Sequence, residues 1–393
     1  MLYKSHHILI SVICCAIFLL LTCEKDKPTK QTGKSYVTWQ KTIGGEDYDG
    51  ANCVISDTDC GCLIAGSTQS FGAVESDVYI IKIDSIGDTM WTRMYGKESS
   101  DKAYSVCETS DNCYLILGSS LSLGVGRDIY LLKVDSLGDT IWTKNYGIAN
   151  NDERSYILNA FDDGYIIVGS SQSFIYIQKM NQFGDSIWTK TIDKYYSSGG
   201  FSAATTSAGY YLTGWTMLSA LGNYDVCIAK TDLNGDTIWV RSYDNNSYWE
   251  FGCSIVATPD GGCIAAGQTA DLDHGGNADF YLIRLDSLGD CVWIKTYGGD
   301  RDDEAFSIKA AYDGCYIVCG RTKSYGAGEF DVILIKIDNS GNVIWRKTYG
   351  TVEHEYAYSV DVACDGGYIV AGNCRRNSQW DVYVLKTDPN GNL

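Results

Sequence analysis

The chain has 393 residues, 45% of them apolar, with 42 Gly and 29 Tyr against three Pro, and a net charge of −18. So acidic a protein is repelled by nucleic acid and by anionic lipid headgroups. Many Gly beside abundant Tyr, Ile, Val and Thr make a β composition, and an internal repeat overrides the two or three domains that length alone would imply.

Residues 1–22 have the form of an export signal. Lys4, His6 and His7 precede an apolar run from Ile8 to Leu21, which is shorter than the roughly 20 residues of a membrane span. The run ends at Leu20-Leu21-Thr22-Cys23, which resembles the lipobox of bacterial lipoproteins, although Thr22 stands where a smaller residue is usual. That resemblance implies lipidation of Cys23 and a chain anchored at the bacterial outer membrane or cell surface, with plain secretion as the alternative. More than one acyl chain gives lasting anchorage, so contact with the membrane is expected through the lipid only. Residues 23–35 read as a polar tether, and loss of residues 1–22 removes Lys4 and takes the net charge from −18 to −19.

From residue 36 the chain repeats. A Trp followed two residues later by Lys or Arg occurs at Trp39, Trp91, Trp142, Trp188, Trp239, Trp293 and Trp345, at separations of 52, 51, 46, 51, 54 and 52 residues. Each of the last six follows a Gly by four residues, and a seventh such Gly, Gly391, ends the chain without its Trp. Every unit carries four β-like segments, as in Ala103 to Val106, Tyr114 to Gly118, Asp128 to Asp135 and Thr140 to Lys144. The first and second are joined by short Asp/Gly turns such as Asp163-Gly164, the third and fourth by turns such as Asp84-Ser85-Ile86-Gly87-Asp88. Both are hairpin signals, so each unit predicts a four-stranded antiparallel meander.

The third segment is apolar on both faces, as in Val78-Tyr79-Ile80-Ile81-Lys82-Ile83, so each sheet lies between two others. The first is rich in Ala, Ser and Gly, which suits a crowded axis. The pattern predicts an all-β, seven-bladed β-propeller over residues 36–393. The last unit lacks its fourth strand, and the orphan segment Tyr36 to Ile43 supplies it, closing the ring. A parallel β-helix would need shorter coils and would leave both chain ends unexplained.

The unit Asp-Val-Tyr-Leu-Ile-Lys-x-Asp-Ser-x-Gly-Asp-x-x-Trp resembles the bacterial β-propeller-repeat proteins, which are secreted or lipid-anchored and have no settled activity. A weaker likeness joins Asp135-Ser136-Leu137-Gly138-Asp139-Thr140-Ile141-Trp142 to the Trp-docking motif of quinoprotein dehydrogenase propellers. Those enzymes generally have eight blades and a vicinal Cys pair, whereas the adjacent pair here, Cys14-Cys15, lies in the signal.

The repeated residues read as scaffold. The seven Trp pack between blades, and Lys82, Lys133, Lys179, Lys230, Arg284, Lys336 and Lys386 lay their stems between blades and meet turn carboxylates. The Asp that opens the third strand (Asp77, Asp128, Asp225, Asp279, Asp331 and Asp381) is expected to fix the preceding loop. Asp232 to Asp236 and Asp388 to Asn392 resemble partial calcium loops but lack the bidentate Glu and match the other hairpin turns. No other cofactor and no metal site is expected. Of 16 Cys, thirteen follow Cys23, at differing phases of the repeat; most read as small buried hydrophobes, with Cys107 and Cys113 able to bridge one hairpin and Cys53, Cys60 and Cys62 crowding another.

Function is sought where the repeat breaks. Trp215, Trp249 and Trp380 fall in the longer connections, which emerge on one face, and Tyr195, Tyr196, Tyr248 and Phe251 join them. Unit three is shortened between Gly169 and Lys179. The same face is expected to collect Glu46, Asp47, Asp49, Asp300, Asp302, Asp303, Glu304, Glu353 and Glu355. Aromatic rings beside carboxylates suit a glycan or a protein ligand. The reading is therefore a non-enzymatic binding scaffold. The alternatives are a carbohydrate-active enzyme using those carboxylates and, further off, a quinoprotein-like oxidoreductase. The mature chain has two His, His274 and His354, and no Gly-x-Ser-x-Gly turn.

Overall fold

The computed structural model describes residues 36–393 except 97, 122–127, 147–155, 163, 172, 219–222, 245–248 and 271–275. The export signal, the tether, Cys23, Tyr248 and His274 lie outside the described residues.

Seven four-stranded antiparallel sheets form, six of them from consecutive strands. Blade 1 runs outward from the axis through Asp49–Ser56, Cys62–Thr68, Asp77–Ile83 and Thr89–Tyr95. The seventh blade takes its inner three strands, Glu355–Val362, Tyr368–Arg376 and Gln379–Thr387, from the C-terminus and its outer strand, Trp39–Ile43, from the N-terminus. Trp39 faces Lys386 and Ile43 faces Val382 across that ladder. The ring is closed as the orphan strand predicts.

Each repeated Trp packs on the turn glycine of the next blade, not on its own. A Cβ on Gly87 would lie 2.7 Å from the Trp39 ring, and one on Gly391 2.9 Å from the Trp345 ring. Gly87 also holds φ at 88°, so the turn and the indole both require glycine there. The Trp without a Gly and the Gly without a Trp are thereby partnered across the ring.

The third strands are buried on both faces, and their cations end against the short turns of the first hairpin. Lys133 meets Asp111 at 2.7 Å, Arg284 meets Asp260 at 2.7 Å, Lys336 meets Asp313 at 2.6 Å and Lys386 meets Asp365 at 3.0 Å. Lys82 pairs with Asp57 and Lys179 with Asp162. Lys230 departs from this because the turn of blade 4 has no Asp; its ammonium donates to the Ser287 carbonyl at 3.1 Å.

The cysteines depart once from expectation. Cys60 in the first turn of blade 1 is bonded to Cys364 in the corresponding turn of blade 7, 304 residues away, while Cys107 and Cys113 stay reduced. Most of the others are buried, as small hydrophobes would be.

Candidate functional site: the loop face and the axial channel

Trp215, Trp249 and Trp380 sit at strand ends, not in loops proper. Trp215 lies near the end of Gly209–Met217, Trp249 opens Trp249–Ala257, and Trp380 lies in Gln379–Thr387. The reason for Trp380 is local. Asn377 and Ser378 both hold positive φ, 48° and 70°, the geometry of a two-residue hairpin turn, so both strands run on to Arg376 and Gln379. Blade 3 is likewise trimmed to a tight hairpin, with Ser171 paired to Phe174.

The three Trp fall into two clusters. Trp215 and Trp249 flank Tyr224, each with its ring centroid 5.0 Å from the tyrosine, and Phe251 lies 5.2 Å away. Tyr196, 61% exposed, donates its backbone N–H to the Met217 carbonyl, two residues on from Trp215, and has no ring contact with this cluster among the described residues. Tyr195 turns inward against the core of blades 3 and 4, where burial pushes its phenol up to about 12. Trp380 belongs instead with Tyr356 and His354, at 5.0 and 6.0 Å. Arg321 lies over Phe330 and Tyr356 at 4.3 and 4.7 Å and pairs with Glu304 at 2.6 Å.

The carboxylates divide too. Glu46, Asp47, Asp300 and Glu353 are exposed, but Asp49, Asp303 and Glu355 are buried and do not join them. Each of these three opens an inner strand and takes local hydrogen bonds: Asp49 from Thr68 and Ser70, Asp303 from Thr322, Glu355 from Thr351. The Asp that opens a third strand comes up against the acid opening the next inner strand. Burial first, and then the neighbouring charge, raises Asp77 (beside Asp101), Asp279 (beside Asp303) and Asp381 (beside Asp49) above the ordinary carboxylate range. Between blades 4 and 5, Asp225, Asp244 and Glu250 bring oxygens within 4.8 Å of one another, a set able to ligate a cation. In the calcium-like loops, Asp232 and Asp388 are engaged as turn residues, each accepting two backbone N–H groups.

A channel of about 590 Å³ occupies the axis. Its wall is set by a defect repeated in six inner strands. One extra residue interrupts the pairing with the second strand at Asn52, Tyr104, Phe201, Cys253, Phe306 and Tyr358, and all six face the channel. A bulge of this kind re-aims a side chain, and here it turns four aromatic rings into the lumen. Phe306 and Tyr358 meet edge to face at 5.3 Å.

The next residue is usually Ser, and it stitches the blades together at their narrowest radius. Ser359 Oγ accepts the Val54 N–H at 3.1 Å, Ser105 that of Ile157 at 3.2 Å, Ser254 that of Ile308 at 3.2 Å and Ser307 that of Val360 at 3.4 Å. In blade 3 this place holds Tyr156. Two residues further along lies a ring of Ile55, Cys107, Leu158, Ala204 and Val256, broken in adjacent blades by Lys309 and Asp361. Lys309 Nζ stands 3.8 Å from Asp361 Oδ1, and Asp361 Oδ2 accepts the Ser56 N–H at 2.8 Å. From the far side of the ring the Tyr156 phenol comes within electrostatic reach of Lys309. Tyr156 and then Asp361 raise the Lys309 ammonium above its ordinary value, so it stays charged.

Sequence reasoning missed the channel because it searched the loops. The signal was present in the aligned inner strands. Small-aromatic-Ser recurs in Ala103-Tyr104-Ser105, Gly200-Phe201-Ser202, Ala305-Phe306-Ser307 and Ala357-Tyr358-Ser359, and Tyr156, Lys309 and Asp361 depart from the residue types at their places.

Solved structures of similar architecture include the Pan2 WD40 domain of Neurospora crassa, with a TM-score of 0.54 and 12% identity, covering 92% of this chain and 99% of that one. Sqt1 of Chaetomium thermophilum gives 0.52 and 8% identity, covering 87% and 96%. These likenesses show the fold alone, a seven-bladed β-propeller. Among curated proteins, the regulatory protein FlaEY of Caulobacter vibrioides is 26% identical over 185 residues, covering 40% of this chain. The matched part spans 19% of that protein's length. No protein-family model matches the chain.

Proposed function

We propose that this protein is an exported, lipid-anchored scaffold that binds a glycan or a protein through its long-loop face, without catalysing a reaction. The observation that carries the reading is the aromatic surface shared by blades 4 and 5. Trp215 and Trp249 are half-buried and both packed on the half-buried Tyr224. Rigid rings that need no further ordering are favourable anchors for a sugar face or a partner's apolar side chain. A seven-bladed β-propeller offers a rigid ring on which such a face is fixed, which supports a scaffold. The anchor rests on the Leu20-Leu21-Thr22-Cys23 segment.

The test is binding to a glycan array and to a panel of cell-surface proteins, comparing the native protein with the Trp215→Ala/Trp249→Ala double variant. Loss of the recognised ligand is expected; unchanged binding would remove the loop face from the account. Cys23→Ser is expected to release the protein from membranes, and unaltered partitioning would exclude the lipid anchor.

A further inference from the structure

We propose that the axial channel is a second, separate binding site, and that it takes a neutral sugar of one or two rings. The inference goes beyond the loop-face reading, and either can fail alone.

The channel has the volume of a small-ligand site, about 590 Å³, and two unlike ends. Near the loop face it is walled by Tyr104, Phe201, Phe306 and Tyr358, whose rings offer flat apolar surfaces to the C–H faces of a pyranose. Three residues further along the inner strands, about 10 Å at the usual rise, stand Lys309 and Asp361. A disaccharide is long enough to touch both.

The polar end is matched to a diol. Lys309 and Asp361 stand 3.8 Å apart, beyond direct hydrogen-bond reach, with side chains 34% and 22% exposed toward the channel they line. The ammonium has protons to donate, and Asp361 Oδ1 can accept, its other oxygen being held by the Ser56 N–H. Adjacent hydroxyls of a sugar can accept from the first and donate to the second. Tyr156, which lines the same channel, has a hydroxyl proton to offer a third.

Charge argues for a neutral ligand. The ammonium and the carboxylate of the pair cancel, Glu108 also lines the channel, and the protein carries −18 overall, which disfavours an anion. A cation would face Lys309. Symmetry points the same way. A purely structural axis would repeat one residue type around each ring, whereas Tyr156, Lys309 and Asp361 depart from the Ser and apolar rings at their places and converge on one spot.

Calorimetry and ligand-observed NMR with the full exported protein, against neutral monosaccharides and disaccharides and the matching sugar acids, test this. A neutral sugar is expected to bind, at least tenfold more weakly to Lys309→Met and to Asp361→Asn, and unchanged to Trp215→Ala/Trp249→Ala. Tyr358→Ala gives a second route should Lys309→Met fail to fold, and it too is expected to weaken binding. Absence of binding across the neutral panel, binding by the sugar acids alone, or binding kept in the channel variants and lost in the loop-face variant would each overturn the inference. Capture of a loop-face ligand equally by native protein and Asp361→Asn would leave the loop-face reading standing in any of those cases.

Discussion

Replacing Trp39 with Ala is expected to destabilise the whole ring. Trp39 is 9% exposed, seated on Gly87 of blade 1, and its indole N–H donates to the Ser85 carbonyl at 3.4 Å. A buried Trp hides about 150–250 Å², worth roughly 4–6 kcal/mol at ~25 cal/mol per Å². Trp→Ala changes in protein cores cost about 3–5 kcal/mol, which is the expected loss here. Lys41→Ala on the same strand is the control. Its ion pair with Asp88 spans 2.9 Å, but Asp88 is 70% exposed, so the loss should stay below about 1 kcal/mol. Urea unfolding followed by tryptophan fluorescence and by far-UV circular dichroism measures both. If Trp39→Ala cost no more than Lys41→Ala, or melted blade 7 alone while the other blades kept their midpoint, the seam would not be what holds the ring together.

The Cys60–Cys364 bond crosses the same seam at the inner edge and closes a loop of 304 residues. Chain-entropy reasoning allows about 5–6 kcal/mol for a loop that long, so the Cys60→Ser/Cys364→Ser variant should lose several kcal/mol and become more sensitive to Trp39→Ala; simple additivity would show that the two latches act independently. Asp279 has one oxygen without a hydrogen-bond partner, beside the buried Asp303. A carboxyl raised in the folded state binds its proton more tightly there, so it leaves the fold unpenalised below the ordinary carboxylate range and weakens it as pH rises through the raised value. Asp279→Asn should therefore raise the melting temperature at pH 7, with the gain fading toward acid; a loss at pH 7 would show that the carboxylate pair is neutralised by a bound cation. Lys386 is 1% exposed and paired at 3.0 Å with Asp365, which is 17% exposed and also accepts the Gly367 N–H, so Lys386→Met should cost about 1–3 kcal/mol, the worth of a charged hydrogen bond; no measurable loss would refute that.

The scaffold could be read from sequence because it repeats. Seven Trp and seven turn Gly state one contact seven times, and the two unmatched copies at the chain ends state the closure. What did not repeat was harder to read. The bulges at Tyr104, Phe201, Phe306 and Tyr358 depend on a one-residue slip between strands that leaves no mark on the hydrophobic pattern. Cys60 and Cys364 become neighbours only once the ring is closed, so their spacing along the chain carried no signal. Asp49, Asp303 and Glu355 looked like surface charge because sequence does not reveal the Thr and Ser hydroxyls that receive them. Trp380 was grouped with Trp215 and Trp249 because all three break the repeat; blade position separates them.

The closing strand also decides how the ring bears load. Trp39–Ile43 enters blade 7 at the tight-turn face, with Trp39 opposite Lys386 and Ile43 opposite Val382. A pull on the N-terminal end of this strand, directed along its own length, loads its whole ladder at once. The five paired residues from Trp39–Lys386 to Ile43–Val382 are then strained together in shear, where a sideways pull would peel them one at a time. The seam therefore resists tension best along that strand, and the disulfide at the inner edge keeps blades 1 and 7 joined if the outer strand slips.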